Sequence, residues 1–123
     1  MAILTARNAA DLMRPAIAGA TRERLAIAYL DRDGHLLDLL LRDDAGDHVV
    51  LPIREIVGRA LALNAFGLVA AHNHPSGDPS PSVADIAATR RLALTCGAVD
   101  IRLHDHLIFA GERCVSFRLE GLL

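Results

Sequence analysis

Tryptophan and lysine are absent from this 123-residue chain, and aromatic residues make up only 3% of it. A surface of interleaved basic and aromatic side chains, of the kind that stacks bases, is therefore not available. All thirteen basic residues are arginines, which we read as codon bias. The formal net charge of -2 argues against a strong electrostatic grip on nucleic acid or acidic lipid. Only two cysteines occur, Cys96 and Cys114, with no CxxC spacing. They read as reduced thiols of a cytosolic protein. No run approaches the ~20 apolar residues of a membrane span. Arg7 and Asp11 interrupt the N-terminal stretch, so it lacks a signal-peptide core. A cytoplasmic location is the expectation.

What is abundant is aliphatic. At 52% hydrophobic, the chain can build a core without disulfide or metal staples, and its length suits one domain. Residues 6–19 read as a helix with Leu12, Met13 and Ile17 on one side and Pro15 kinking or ending it. Residues 23–31 read as a buried strand. The Asp33-Gly34 turn signal leads into a paired strand over 35–42. Residues 43–47 read as a polar turn and 48–51 as a short strand. Pro52 suits the first turn of a helix over 53–65. The apolar run 66–72 reads as a central strand that ends on His72. A loop rich in Pro, Gly and Ser follows, then a helix over 82–96 stopped by Gly97. The tail reads as two or three strands with a hairpin turn at Gly111. The expected fold class is α/β or α+β: a mixed sheet with about three helices.

The segment from His72 to Asp85 carries the chemistry. Side chains on an extended segment alternate with period two, so His72 and His74 point the same way and can meet one ion. Asp85 lies in the first turn of the next helix, and the Pro-rich loop can fold that turn over the histidine pair. Two imidazoles and one carboxylate suit Zn²⁺ and leave a fourth position open, as in catalytic sites. Ser82 followed three residues on by Asp85 is also the capping pattern of a helix start. We expect both to apply: Ser82 caps, Asp85 reaches the metal, and the cap holds the ligand in place. Asn73 points away and suits hydrogen bonding. His104 and His106 repeat the His-x-His spacing, which raises a second metal site. The preferred reading is a structural His106 and a solvent-facing His104. His35 and His48 read as surface residues, and Arg90 and Arg91 as a solvated helix face.

The pattern HxHx7SxxD resembles the JAMM motif of the JAB or MPN metallopeptidase domains. Its surroundings, LNAFGLVAAHNHPSGDPSPSVADIAATRRL with PIREIVGRALALNA before and HDHLIFAGERCVSFRLEGLL after, resemble the bacterial RadC family, called a DNA repair family. The resemblance covers about residues 20–123. It implies a cytidine-deaminase-like or JAB (MPN) fold over 21–123, with 1–20 a helix within or leading into the domain. It further implies one Zn²⁺ on His72, His74 and Asp85 and hydrolysis of amide or isopeptide bonds. The family pattern needs an upstream Glu as general base. Glu23 matches it, and Glu55 is the competitor. Ser82 then corresponds to a hydroxyl that orients water or a developing oxyanion.

The expected function is a zinc metallopeptidase acting on a peptide or protein. A DNA repair or recombination-associated factor and a non-catalytic JAB scaffold are the alternatives. Nucleic acid is weakly supported as a partner, a membrane is not expected, and the composition allows a homodimer.

Overall fold

The computed structural model describes residues 2–3, 5–17, 19–43 and 51–123. Its elements are α1 (Ala6–Ile17), β1 (Arg24–Leu30), β2 (Leu36–Asp43), α2 (Ile53–Ala62), β3 (Gly67–Asn73), α3 (Val83–Ala98), β4 (Arg102–Ala110) and β5 (Arg113–Ser116). The five strands form one sheet in the order β2-β1-β3-β4-β5. Only β3 and β4 pair in parallel, joined through α3. This is the mixed α/β sheet with three helices that the pattern of the chain implies.

β1 shows why the sheet is central. Its sequence RLAIAYL has almost no polar position because both faces are covered. Leu25, Ile27 and Tyr29 pack with Ile56, Val57 and Ala60 of α2 and Leu92 and Cys96 of α3. Ala26, Ala28 and Leu30 pack on the other side with Ala9, Met13 and Ile17 of α1. Each large aliphatic side chain so buried contributes roughly 1.5–3 kcal/mol. Ala26 and Ala28 of β1 and Ala71 of β3 lie in the cluster that α1 covers.

The helix ends carry corrections. Pro15 lies inside α1, two residues before its last. Gly97 does not stop α3, which runs on to Ala98. The stop is at Asp100, whose φ of 59° is left-handed. The Ile101 N–H then donates to the Cys96 carbonyl (2.9 Å) and the Asp100 N–H to that of Gly97 (3.2 Å). That pair is a Schellman ending, and Asp tolerates the backbone through its short polar side chain. Asn64 (φ 54°) ends α2 in the same way, through Ala65 to Ala60 (2.8 Å). Both endings feed directly into the parallel pair, β3 and β4.

In the tail, the stretches expected as separate strands merge into β4, and the Gly111 turn joins it to β5. The polar turn over 43–47 and the strand over 48–51 fall almost wholly outside the described residues. Among the described residues, no helix is long and apolar enough to cross a membrane.

Candidate metal centre

The site lies where β3 leaves the sheet. His72 is within the strand and His74 is the first residue beyond it. Ser82 caps α3 in both directions. Its Oγ accepts from the Asp85 N–H (3.0 Å), and its own N–H donates to Asp85 Oδ2 (2.9 Å). The capping box thus fixes the carboxylate of Asp85, which accepts the N-cap N–H and faces the histidines at once.

His72 Nε2 lies 3.1 Å from His74 Nε2 and 3.4 Å from Asp85 Oδ1, and His74 Nε2 lies 3.2 Å from Asp85 Oδ2. Bonds of 2.0–2.1 Å to a tetrahedral ion put neighbouring ligand atoms about 3.3–3.4 Å apart. The two imidazole nitrogens are close to that spacing, and each has an Asp85 oxygen at a similar distance. One ligand atom from each residue lies within 4.8 Å of the others, so the three side chains could hold one ion. His72 is buried, while the side chains of His74 and Asp85 keep 16% and 17% of their surface, so the group opens to solvent on one side. Burial alone would raise the Asp85 carboxyl. The facing His72 imidazole and the Ser82 N–H outweigh it and hold the group well below the usual carboxylate range.

The outer nitrogens are also engaged. His74 Nδ1 lies 2.8 Å from the Asp78 carbonyl, which can only accept, so His74 carries its proton on Nδ1. His72 Nδ1 lies 2.7 Å from His106 Nε2. His106 is stacked on Phe117, with ring centroids 4.8 Å apart, and its burial depresses its basicity strongly. His106 is structural, as expected, but it also touches a candidate ligand.

His104 corrects its expectation. It is not solvent-facing; it is half-buried and lies across Gly67, where a Cβ would come within 2.3 Å of its Nε2. The register slips between Leu68 and Val69, which pair with Leu103 and Asp105 and leave His104 as a bulge. His104 and Asp105 then both face Ala6 and Ala9 of α1, while His106 faces His72 on the other side of the sheet. The second His-x-His thus does not converge.

Glu23 immediately precedes β1. It is two residues from Leu25, the partner of His72, so alternation places it on the His72 side. Its Oε2 is buried and has no hydrogen-bond partner. Asn73 points to the opposite side, as expected, and clamps the segment that carries Glu23. Its Oδ1 accepts from the Arg24 N–H (2.7 Å), and its Nδ2 donates to the carbonyls of Ala20 (3.2 Å) and Arg22 (2.9 Å). Glu55 is in the first turn of α2, and its carboxylate pairs with Arg42 on the outer strand β2. Among the described residues one other group, Asp31, Asp33 and His35, has ligand atoms close together, but it is a turn in which Asp31 accepts the N–H groups of the other two. His35 is exposed, as expected, and His48 lies outside the described residues.

Sequence reading missed Thr89 and the contact of His106. Thr89 Oγ1 donates to the Asp85 carbonyl (2.7 Å) and lies 2.6 Å from His106 Nδ1. The available signal was its place one helical turn after Asp85, where a Thr can bond back to the fourth preceding carbonyl.

A profile of the RadC-like JAB domain matches residues 3–122. A UPF0758 protein of Rhodobacter capsulatus is 43% identical over 118 residues, covering 92% of this chain and 53% of the relative. UPF0758 protein SPO0054 of Ruegeria pomeroyi is 43% identical over 114 residues, covering 92% of this chain and 51% of the relative. UPF0758 protein YfjY of Escherichia coli is 40% identical over 125 residues, covering 100% of this chain and 78% of the relative. The chain spans about half the length of the first two relatives.

Proposed function

Because this chain belongs to the family of RadC-like JAB domains, we propose that it is a zinc-dependent hydrolase of amide or isopeptide bonds in a peptide or protein. The observation that carries this reading is the convergence of His72 Nε2, His74 Nε2 and the two oxygens of the Asp85 carboxylate, with contacts of 3.1–3.4 Å. Two imidazoles and one carboxylate suit a four-coordinate ion with one position left for substrate or water.

The three side chains would hold the ion. Bound zinc supplies a Lewis acid for a carbonyl and acidifies water. Glu23 brings a carboxylate oxygen that is buried and unpartnered, a state that calls for a functional explanation. In this reading Glu23 takes the proton of the attacking water and returns it to the leaving amine nitrogen. Asn73 holds the Glu23 segment against the end of β3. The Ser82 Oγ accepts from the Asp85 N–H, so its own proton is free for a developing oxyanion. Glu55, engaged with Arg42, is the weaker candidate for the base.

The test compares zinc-loaded wild type with Glu23→Gln on a peptide pool and an isopeptide-linked lysine probe, with products read by mass spectrometry. The expected result is full zinc content in both and a loss of cleavage of about 10²–10⁴-fold in the variant. Wild type that takes up no zinc under zinc-replete conditions would falsify the reading. Zinc uptake without cleavage would reduce it to a metal-binding scaffold.

A further inference from the structure

The candidate ligands His72 and Asp85 are linked a second time, behind the site, by a chain of hydrogen bonds through β4 and α3. The Asp85 backbone carbonyl accepts from the Thr89 hydroxyl at 2.7 Å. Thr89 Oγ1, its one proton so used, can only accept from His106 Nδ1 at 2.6 Å. His106 therefore carries its proton on Nδ1, and its Nε2 can only accept from His72 Nδ1 at 2.7 Å. His72 must then be protonated on Nδ1, which leaves Nε2 bare. Nε2 is the atom that faces His74 and Asp85.

The direction of every link follows from the last acceptor, a carbonyl that cannot donate. Solvent cannot scramble the order, because His72, His106 and Thr89 are all at most 2% exposed. Nor can the His106 ring turn freely. It is stacked on Phe117, whose N–H also donates to the His106 carbonyl at 3.0 Å.

We propose that His106 and Thr89 are positioning residues for the metal: they lock His72 into the tautomer whose Nε2 is free to bind, before any ion arrives. This rests on reading His72, His74 and Asp85 as a metal centre. A His106 protonated on Nε2 would force His72 to put its proton on the ligating nitrogen. The ion would then have to displace that proton at each binding event.

The experiment has two readouts. In metal-free wild type, ¹⁵N NMR of the imidazoles is expected to show His72 protonated on Nδ1. Zinc affinity, measured by competition with a chelator, is expected to fall about tenfold in Thr89→Val and up to about 100-fold in His106→Leu. His106→Gln, whose amide can accept from His72 and donate to Thr89, is expected to recover most of the affinity. A His72 protonated on Nε2 in the metal-free protein overturns the proposal. So does unchanged zinc affinity in folded Thr89→Val. Should His106→Leu not fold, Thr89→Val and the wild-type tautomer still decide. A wild type that binds no zinc defeats the metal-centre reading, whereas the tautomer of His72 still reports on the lock itself.

Discussion

The chain carries the spacing His-x-His twice, at 72–74 on β3 and at 104–106 on β4, the two strands being parallel neighbours. On β3 the strand is regular up to Asn73, so both imidazoles emerge on one side and meet Asp85. On β4 the register slips beside Leu68 and Val69, and one residue of bulge sends His104 to the α1 side. His106 stays on the side of His72 and supports it from behind. Identical spacing thus yields one converging pair and one divided pair. Spacing licenses convergence only where the ladder is unbroken, because a single extra residue inverts every side chain after it.

The largest effect should separate the pairs outright. His72→Ala is expected to abolish stoichiometric zinc binding, while His104→Ala keeps wild-type content, both read by elemental analysis of protein purified without a His-tag. Zinc loss in His104→Ala would mean that the pairs are not as different as their geometry.

A smaller effect should probe the bulge. Gly67→Ala would drive a Cβ to within 2.3 Å of the His104 ring. The expected cost is about 1–3 kcal/mol of stability in urea unfolding. His104→Ala should relieve most of it, so the double-mutant cycle should show strong coupling. Additive costs would place the crowding elsewhere.

The smallest effect concerns acid. Burial, the largest cause, followed by Arg102 and Arg118, lowers the pKa of His104 below its ordinary 6.5. The unfolded chain therefore takes up a proton that the folded protein resists. The stability from this group is complete above about pH 6.5 and is lost as the pH falls through that window. His104→Gln should make the fall between pH 7 and 5 shallower in the metal-free protein, by denaturant midpoints. An unchanged slope would show that His104 does not contribute.

Much of this molecule was legible as sequence, because the signals are local. Periodicity marked the helices and strands, the Ser82–Asp85 spacing marked a capping box, and HxHx7SxxD marked the three candidate ligands. The helix stop at Asp100 was not legible, since Gly97 was the stronger residue-type signal and the backbone turned three residues later. Nor were the functions of the residues around the site. Asn73 reaches the carbonyls of Ala20 and Arg22 from 51–53 positions away, and His72 meets His106 from 34. The residue types and their spacing determined which side chains could bind a metal. The tertiary structure decided which ones converge, which tautomer they hold and which face His104 takes. Those depend on strand register and a bulge, and register is set by pairing between distant segments.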